Sequence, residues 1–301
     1  MSWPDAVRGL VPIPAPHAEP SMPVADVQAA LRCSPAEVAR LLDAGFPLHA
    51  VDGGLLADPR DVFNLAIASG SGRTIAEVST AFALRFAAGG ACWRGERRWR
   101  LELELQCPQD GGAWLVWPLA GDPAGTAAPL DLADAGRYTG VQVAAGDAGR
   151  LRSPELRRTV ADALRRRPRY VRVPVQLSLD ADWMARHDLV DCISGTSALG
   201  RAFGERGHRV RYRSGWLAGP VASEHSWLEV FDDDGRWKSV DLAFHVLARR
   251  LLGARVHPEV FLGSRPDRLL RTDCPFAEPL AAHLRCTAGI DCRTVATASA
   301  E

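Results

Sequence analysis

The chain has almost no lysine, no Cys-x-x-Cys pair and no apolar run that approaches the ~20 residues of a membrane span. The last of these absences excludes a transmembrane helix. The missing cysteine pair excludes the common structural zinc sites, because the closely spaced thiolates that would hold the ion are not there. An excess of charge of one sign is lacking too: 36 Lys and Arg balance 36 Asp and Glu, so no global field draws the protein toward nucleic acid or an anionic membrane. Arginine in place of lysine, in an alanine-rich chain, reads as the bias of a GC-rich bacterial genome and not as a function. Met1-Ser-Trp-Pro-Asp has neither the basic nor the apolar block of a signal peptide. The seven cysteines are odd in number and irregularly spaced, which suits reduced thiols in a cytoplasmic protein. Cys286 and Cys292 could bridge locally, but nothing demands it. The composition calls for no cofactor and no metal.

What is present is an ordinary globular composition, 47% apolar and 24% charged over 301 residues, enough for a large core and about two domains. Residues 1–23 carry six prolines and read as an extended or disordered lead. Residues 24–88 read as helical. Ser34-Pro-Ala-Glu37 is a capping box, Asp58-Pro opens a second helix and Thr74-Ile-Ala-Glu77 caps a third. The pair around Ser34 has the look of a helix-turn-helix reader, but no basic patch supports it, and a small cap or docking unit is the plainer reading. Residues 89–150 form a β-rich connection: Trp99, Leu101, Leu103 and Leu105 alternate with charged residues, and Gly111-Gly112 turns this strand into Trp114 to Trp117 as a hairpin. Residues 151–301 make the main α+β domain, with a helix from Ser153, a strand from Tyr170 to Leu179 and a helix from Val246.

The chemistry concentrates in residues 188–245. Ala198, Leu199, Ala202 and Phe203 recur at helical spacing after Cys192, so Cys192 sits at a helix start, where the unpaired N–H groups favour a thiolate. His225 opens a strand and Asp241 closes the next one. Between them Asp233-Asp234-Gly235 is a strong turn signal. If those three residues form the loop, with Gly235 left-handed, Asp232 lies opposite Arg236. Asp241 then falls diagonal to His225 on the same sheet face, roughly 7–8 Å away and within reach of an imidazole. A four-residue loop would put the two on opposite faces. Asp232, Asp233 and Asp234 are not spaced as calcium ligands and read as a solvated turn. His208 and His245 fall outside the constellation.

This order of Cys192, the strand Arg209 to Trp216 ending in Ser-Gly-Trp, His225-Ser-Trp227 and Val240-Asp241 resembles the transglutaminase-like superfamily, with its papain-like Cys-His-Asp core. The resemblance covers roughly residues 150–250. Two positions depart from the pattern: Leu242 stands where proline is common, and Asp191 where a small residue is frequent. The resemblance implies an α+β fold in which the helix bearing Cys192 packs on an antiparallel sheet. It also implies a catalytic triad of Cys192, His225 and Asp241. The thiolate would attack an acyl carbon, His225 would protonate the leaving group and Asp241 would orient His225. The Cys192 N–H would stabilise the oxyanion, with Gln176 and Trp183 as candidates for a second donor.

The family implies amide-forming acyl transfer, peptide hydrolysis or a silent site. The expectation here is a cysteine-dependent acyltransferase resembling the amide synthases of bacterial antibiotic assembly lines. It would take an acyl group from a thioester, such as that of an acyl carrier protein, and pass it to an amine. The arginines Arg157, Arg158, Arg165, Arg166 and Arg167 form a helix that would suit an acidic carrier protein, or simply a solvated face. A cysteine peptidase or amidase is the alternative, and a non-catalytic binding module the third possibility.

Overall fold

The computed structural model describes residues 2–89, 92–105, 113–121, 128–132, 136–219, 222–283 and, for the backbone, 290–297. The architecture is mixed α+β with mainly antiparallel sheets. The Gly111-Gly112 turn, Cys286 and the side chain of Cys292 lie outside the described residues.

The proline-rich lead is not featureless. Helix α1 (Trp3–Arg8) is capped by Ser2 and has Pro4 in its first turn, where the missing N–H costs nothing. Strand β1 (Met22–Pro23) then leads into α2 (Val24–Leu31) and α3 (Pro35–Asp43). The Ser34 capping box on α3 forms as the sequence requires. Hairpin β2 (His49–Val51) and β3 (Gly54–Ala57) carries β1 on its other edge and is followed by α4 (Pro59–Ser69) and α5 (Ile75–Leu84). Ala6 and Val7 of the lead are buried with Val27, Leu41 and Leu65, and that apolar burial orders a stretch whose composition alone reads as disordered.

The helical region is continuous with the rest of the protein. Ile67, Leu84 and Phe86 share a core cluster with Trp227, Phe244 and Leu247. Asn64 makes a two-way hydrogen-bond clamp on the backbone of Arg172, at 2.8 Å to its carbonyl oxygen and 2.7 Å from its N–H.

Strand β4 (Gly95–Leu105) buries Trp99, Leu101, Leu103 and Leu105, in the expected alternation. Its partner is not the expected one. Strand β5 (Trp114–Val116) pairs instead with β6 (Leu130–Leu132), whereas β4 pairs with β7 (Arg137–Gly146). The 11 residues of β4 find a ladder of matching length in β7, which a strand of 3 residues cannot offer. Both sheets still bury their apolar faces in one cluster, with Trp99 and Trp114 among its members.

Helix α6 (Pro154–Arg165) follows, and its first turn explains Asp232. That carboxylate is buried and accepts hydrogen bonds from the backbone N–H groups of Arg152 (2.6 Å) and Ser153 (2.9 Å), so it ties the hairpin to the helix start and is not a solvated turn residue. Strand β8 (Arg169–Tyr170) is short. The strand expected through Leu179 becomes α7 (Val175–Leu179), followed by α8 (Ala181–Arg186). Pro174 caps α7, and Leu177 turns inward with Ile13, Trp183 and Met184. The run of valines alternates, but burial on one side only decides for the helix.

The central unit comprises β9 (Leu189–Val190), which runs parallel to β8, then α9 (Cys192–Gly204), β10 (Val210–Leu217), β11 (Ser223–Phe231), β12 (Trp237–Val240) and α10 (Leu242–Leu252). The antiparallel sheet is ordered β12, β11, β10 and then β13 (Leu269–Arg271). The C-terminal stretch adds β13, β14 (Ala281–His283) against β5, and β15 (Ile290–Thr297) against β4. Its strands are defined by distant partners and carry little local signal. Among the described residues no helix is long and apolar enough to cross a membrane.

Candidate active site

The hairpin has the register of the three-residue loop. Phe231 pairs with Trp237, Val230 with Lys238 and Leu228 with Val240; Gly235 is left-handed at φ 73°. The strand β12 ends at Val240, and Asp241 becomes the N-cap of α10, its Oδ1 accepting the Phe244 N–H at 2.9 Å. The other oxygen, Oδ2, lies 2.6 Å from Nε2 of His225. One carboxylate therefore caps a helix and holds an imidazole, and both its residue and His225 are buried.

The ring of His225 is fixed on its faces as well. Phe244 stacks on it with ring centroids 3.8 Å apart and planes 5° from parallel, and Trp227 lies 6.0 Å away at 14°. Phe244 was not recognisable as a site residue from sequence, although its place three residues after Asp241, in the first turn of a helix, is the signal that would find it. A carboxylate at 2.6 Å calls for a proton on Nε2, so in the neutral imidazole the lone pair lies on Nδ1. That Nδ1 is buried without a hydrogen-bond partner.

Cys192 opens α9, which packs against β11, the strand that carries His225. Asp191 caps the helix: its side chain accepts the Ser194 N–H at 2.7 Å, the Ser194 hydroxyl accepts the Asp191 N–H at 2.9 Å, and the Ser178 hydroxyl donates to the same carboxylate. The helix is docked on the edge of β11 by the early end of β12. Asp232 pairs with Arg236, so the even-numbered residues of β11 direct their backbone groups at β12. With β12 gone after Val240, Ser226 has no strand partner on that side. Its N–H bonds toward the Cys192 sulfur, and its carbonyl accepts the Thr196 hydroxyl at 3.3 Å, one helical turn along. Cys192 and Thr196 thus fill the positions a longer strand would occupy.

The electrostatics differ from the sequence expectation of a ready thiolate. Burial, and then the Asp191 carboxylate, push the Cys192 thiol up to about 12, against the pull of the Ser226 and Ile193 N–H groups. Burial also raises Asp191 itself, opposed by its bonds to Ser178 and Ser194. A helix terminus favours an anion only modestly, and here desolvation and a neighbouring acid outweigh it. Cys192 rests as a thiol.

The remaining residues named from sequence stand apart. Gln176 is exposed, and Trp183 packs in the cluster of Ile13 and Met184 while its ring lies 5.1 Å from that of His187. His208 contacts Glu155 at 3.3 Å. His245 is buried on α10, and burial, helped by Arg249, lowers it to about 4. The arginines of α6 and its C-terminus are exposed, with Arg165 paired to Asp162. A cleft of about 520 Å³ between α6, α8 and α9 is not lined by Cys192, His225 or Asp241. Among the described residues no group of three or more His, Cys, Asp or Glu is placed to hold a metal ion.

No family model and no curated protein matches the chain. Among solved structures, one described as a "putative cysteine protease" from Cytophaga hutchinsonii aligns over 68% of this chain and 92% of that one, with 8% identity and a TM-score of 0.41. At that distance the likeness carries no argument, and the site stands on its own geometry.

Proposed function

We propose that the protein is a cysteine acyl-transfer enzyme with Cys192 as nucleophile, His225 as base and acid, and Asp241 as the group that orients His225. The observation that carries this reading is the 2.6 Å contact from Nε2 to Asp241, which leaves a buried, unpartnered Nδ1 on the strand residue next to the Ser226 N–H that bonds the sulfur.

In the proposed cycle Nδ1 takes the Cys192 proton as the sulfur attacks an acyl carbon. The C–S bond forms, the tetrahedral oxyanion is met by the Cys192 N–H at the helix start, and the leaving group departs with the proton from His225. An acceptor then attacks the acyl-enzyme, returns a proton through His225 to the sulfur and releases product. Because the thiol is not pre-ionised, proton removal and attack are coupled, and the imidazole, held between Phe244 and Trp227, is the group that couples them.

For the acceptor we favour an amine, which makes the product an amide, with a thioester as donor; the exposed arginines of α6 are the surface that would meet an acidic carrier. Water as acceptor gives the peptidase or amidase. Incubation with a panel of acyl thioesters and amines, beside peptide substrates, separates the two. Amide from thioester plus amine, abolished by Cys192→Ala, supports acyl transfer; cleaved peptide supports hydrolysis. Products unchanged by Cys192→Ala would remove both.

A further inference from the structure

A second polar cleft of about 300 Å³ lies between β7, β10 and β13, and three guanidinium groups from three separate segments line it: Arg213, Arg265 and Arg271. A fourth, Arg211, is two residues along the same strand, its guanidinium over the Trp237 ring at 3.7 Å. We propose that this cleft binds a phosphate-type oxyanion.

The charge inventory is one-sided. The buried Glu229 is the internal counter-ion, 3.0 Å from Nε of Arg213 and 3.9 Å from Nη1 of Arg271. The other acid on the lining is the exposed Asp273. Asp147, whose backbone pairs with that of Arg265, gives its carboxylate to Arg236 instead. In a protein of zero formal net charge, Arg213 and Arg271 thus share one buried carboxylate, Arg265 has no carboxylate partner among the described residues, and Asp273 is the acid on the lining.

The donors are also unspent. Arg265 uses Nε on the Ala145 carbonyl oxygen at 2.8 Å, and Arg213 uses Nε on Glu229. Arg271 makes no side-chain hydrogen bond among the described residues, only the long ion pair. All three residues line one cavity, and their terminal nitrogens make no hydrogen bond among the described residues. A single carboxylate ligand offers two acceptor oxygens, whereas a phosphate offers three or more to match three guanidinium groups. The remaining polar side chains hold the walls: Gln142 bonds the Ala120 and Arg271 backbones, and Thr272 bonds the Ser214 carbonyl. Burial and the crowding of Arg213, Arg265 and Arg211 lower Arg271 below the ordinary guanidinium value, although Glu229 opposes this, as expected where cations lack sufficient anion.

The cleft lies close to the triad. Gly215 pairs with Arg271 on one side and His225 on the other, and Pro266 and Leu269 line both this cleft and a small cavity against Asp241 and Phe244. Residues directly opposite one another in antiparallel strands share a face, so Arg271 and His225 lie on one face of the sheet, two strands apart.

Calorimetric titration of the full chain at constant ionic strength, with chloride as control, tests the site. The probes are inorganic phosphate and phenyl phosphate. Saturable binding of either supports the proposal; tighter binding of the ester assigns the site to a phosphorylated molecule, and binding of inorganic phosphate alone assigns it to the free ion. Arg271→Gln and Arg265→Gln, each checked for folding by circular dichroism, should weaken binding at least tenfold, and Arg157→Gln on α6 should not. No saturable binding of either probe to the wild-type chain, or affinity unchanged in both folded cleft variants, would overturn it. The result is independent of whether Cys192 is a nucleophile.

Discussion

The resting state of Cys192 yields the sharpest prediction. A thiol moved from its ordinary 9.0 to about 12 is ionised ~1,000-fold less at neutral pH. Peptide-resolved mass spectrometry after brief iodoacetamide treatment reads this directly, and Cys92, exposed on the same molecule, is the internal reference. At pH 7 Cys192 should be alkylated far more slowly than Cys92, beyond what its partial burial alone would impose. Asp191→Asn is the perturbation. Asparagine keeps the acceptor that caps Ser194 and so leaves α9 in place, but it removes the second-largest contribution to the raised thiol. Alkylation of Cys192 in this variant should rise about tenfold, equivalent to ~1.4 kcal/mol of relief for the thiolate. Burial, the largest contribution, remains, so the rise should stop well short of 1,000-fold. Two results would refute the reasoning: Cys192 reacting faster than Cys92 at pH 6, the mark of a preformed thiolate–imidazolium pair, or an Asp191→Asn rate equal to wild type.

Three further perturbations probe other joints of the structure. Asp241→Asn keeps the α10 cap and removes the charge on His225, so on the proposed mechanism it should lower turnover roughly 10³–10⁴-fold with little change in melting temperature, while Asp241→Ala should lose about 1 kcal/mol of stability as well. Asn64→Ala strands the N–H and carbonyl of Arg172 and should cost about 2 kcal/mol in denaturant titration. His245 and Asp61 should act in opposite directions on stability against pH. His245 is lowered from 6.5 to about 4, chiefly by burial, so its stabilising contribution is present above 6.5 and lost as pH falls toward 4. Asp61 is raised from 3.8 to about 7, again chiefly by burial, so its contribution is present below 3.8 and lost as pH rises toward 7. His245→Asn should steepen the loss of stability as pH rises between 4 and 7, and Asp61→Asn should steepen its loss as pH falls, each by up to ~3 kcal/mol across the window; parallel curves for wild type and variants would refute both assignments.

The parts of the site legible in sequence are those set by local rules. The Asp-Asp-Gly run marks the turn, the pairing of Asp241 with His225 selects a three-residue loop over a four-residue one, and the observed register is that of the three-residue loop. Capping chemistry likewise places the starts of α3, α4 and α5. What was not legible depends on distant partners. The alternating valines before Leu179 suit a strand until Ile13 and Trp183 are there to bury Leu177 from one side. The partner of β4 is chosen by ladder length across residues 95–146, and β15 exists only because β4 has a free edge. The thiolate expectation failed for a related reason: the helix terminus is local and visible, whereas the desolvation of Cys192 is a sum over the whole fold.

Because β12 breaks off at Val240, the sulfur occupies ground that a continuing strand would claim. A hairpin that grew by two residues would compete with Cys192 for the same backbone hydrogen and displace the start of α9 from the sheet margin. On the proposed mechanism, reactivity is contingent on a boundary as much as on three side chains, and it would be extinguished with all three of them untouched.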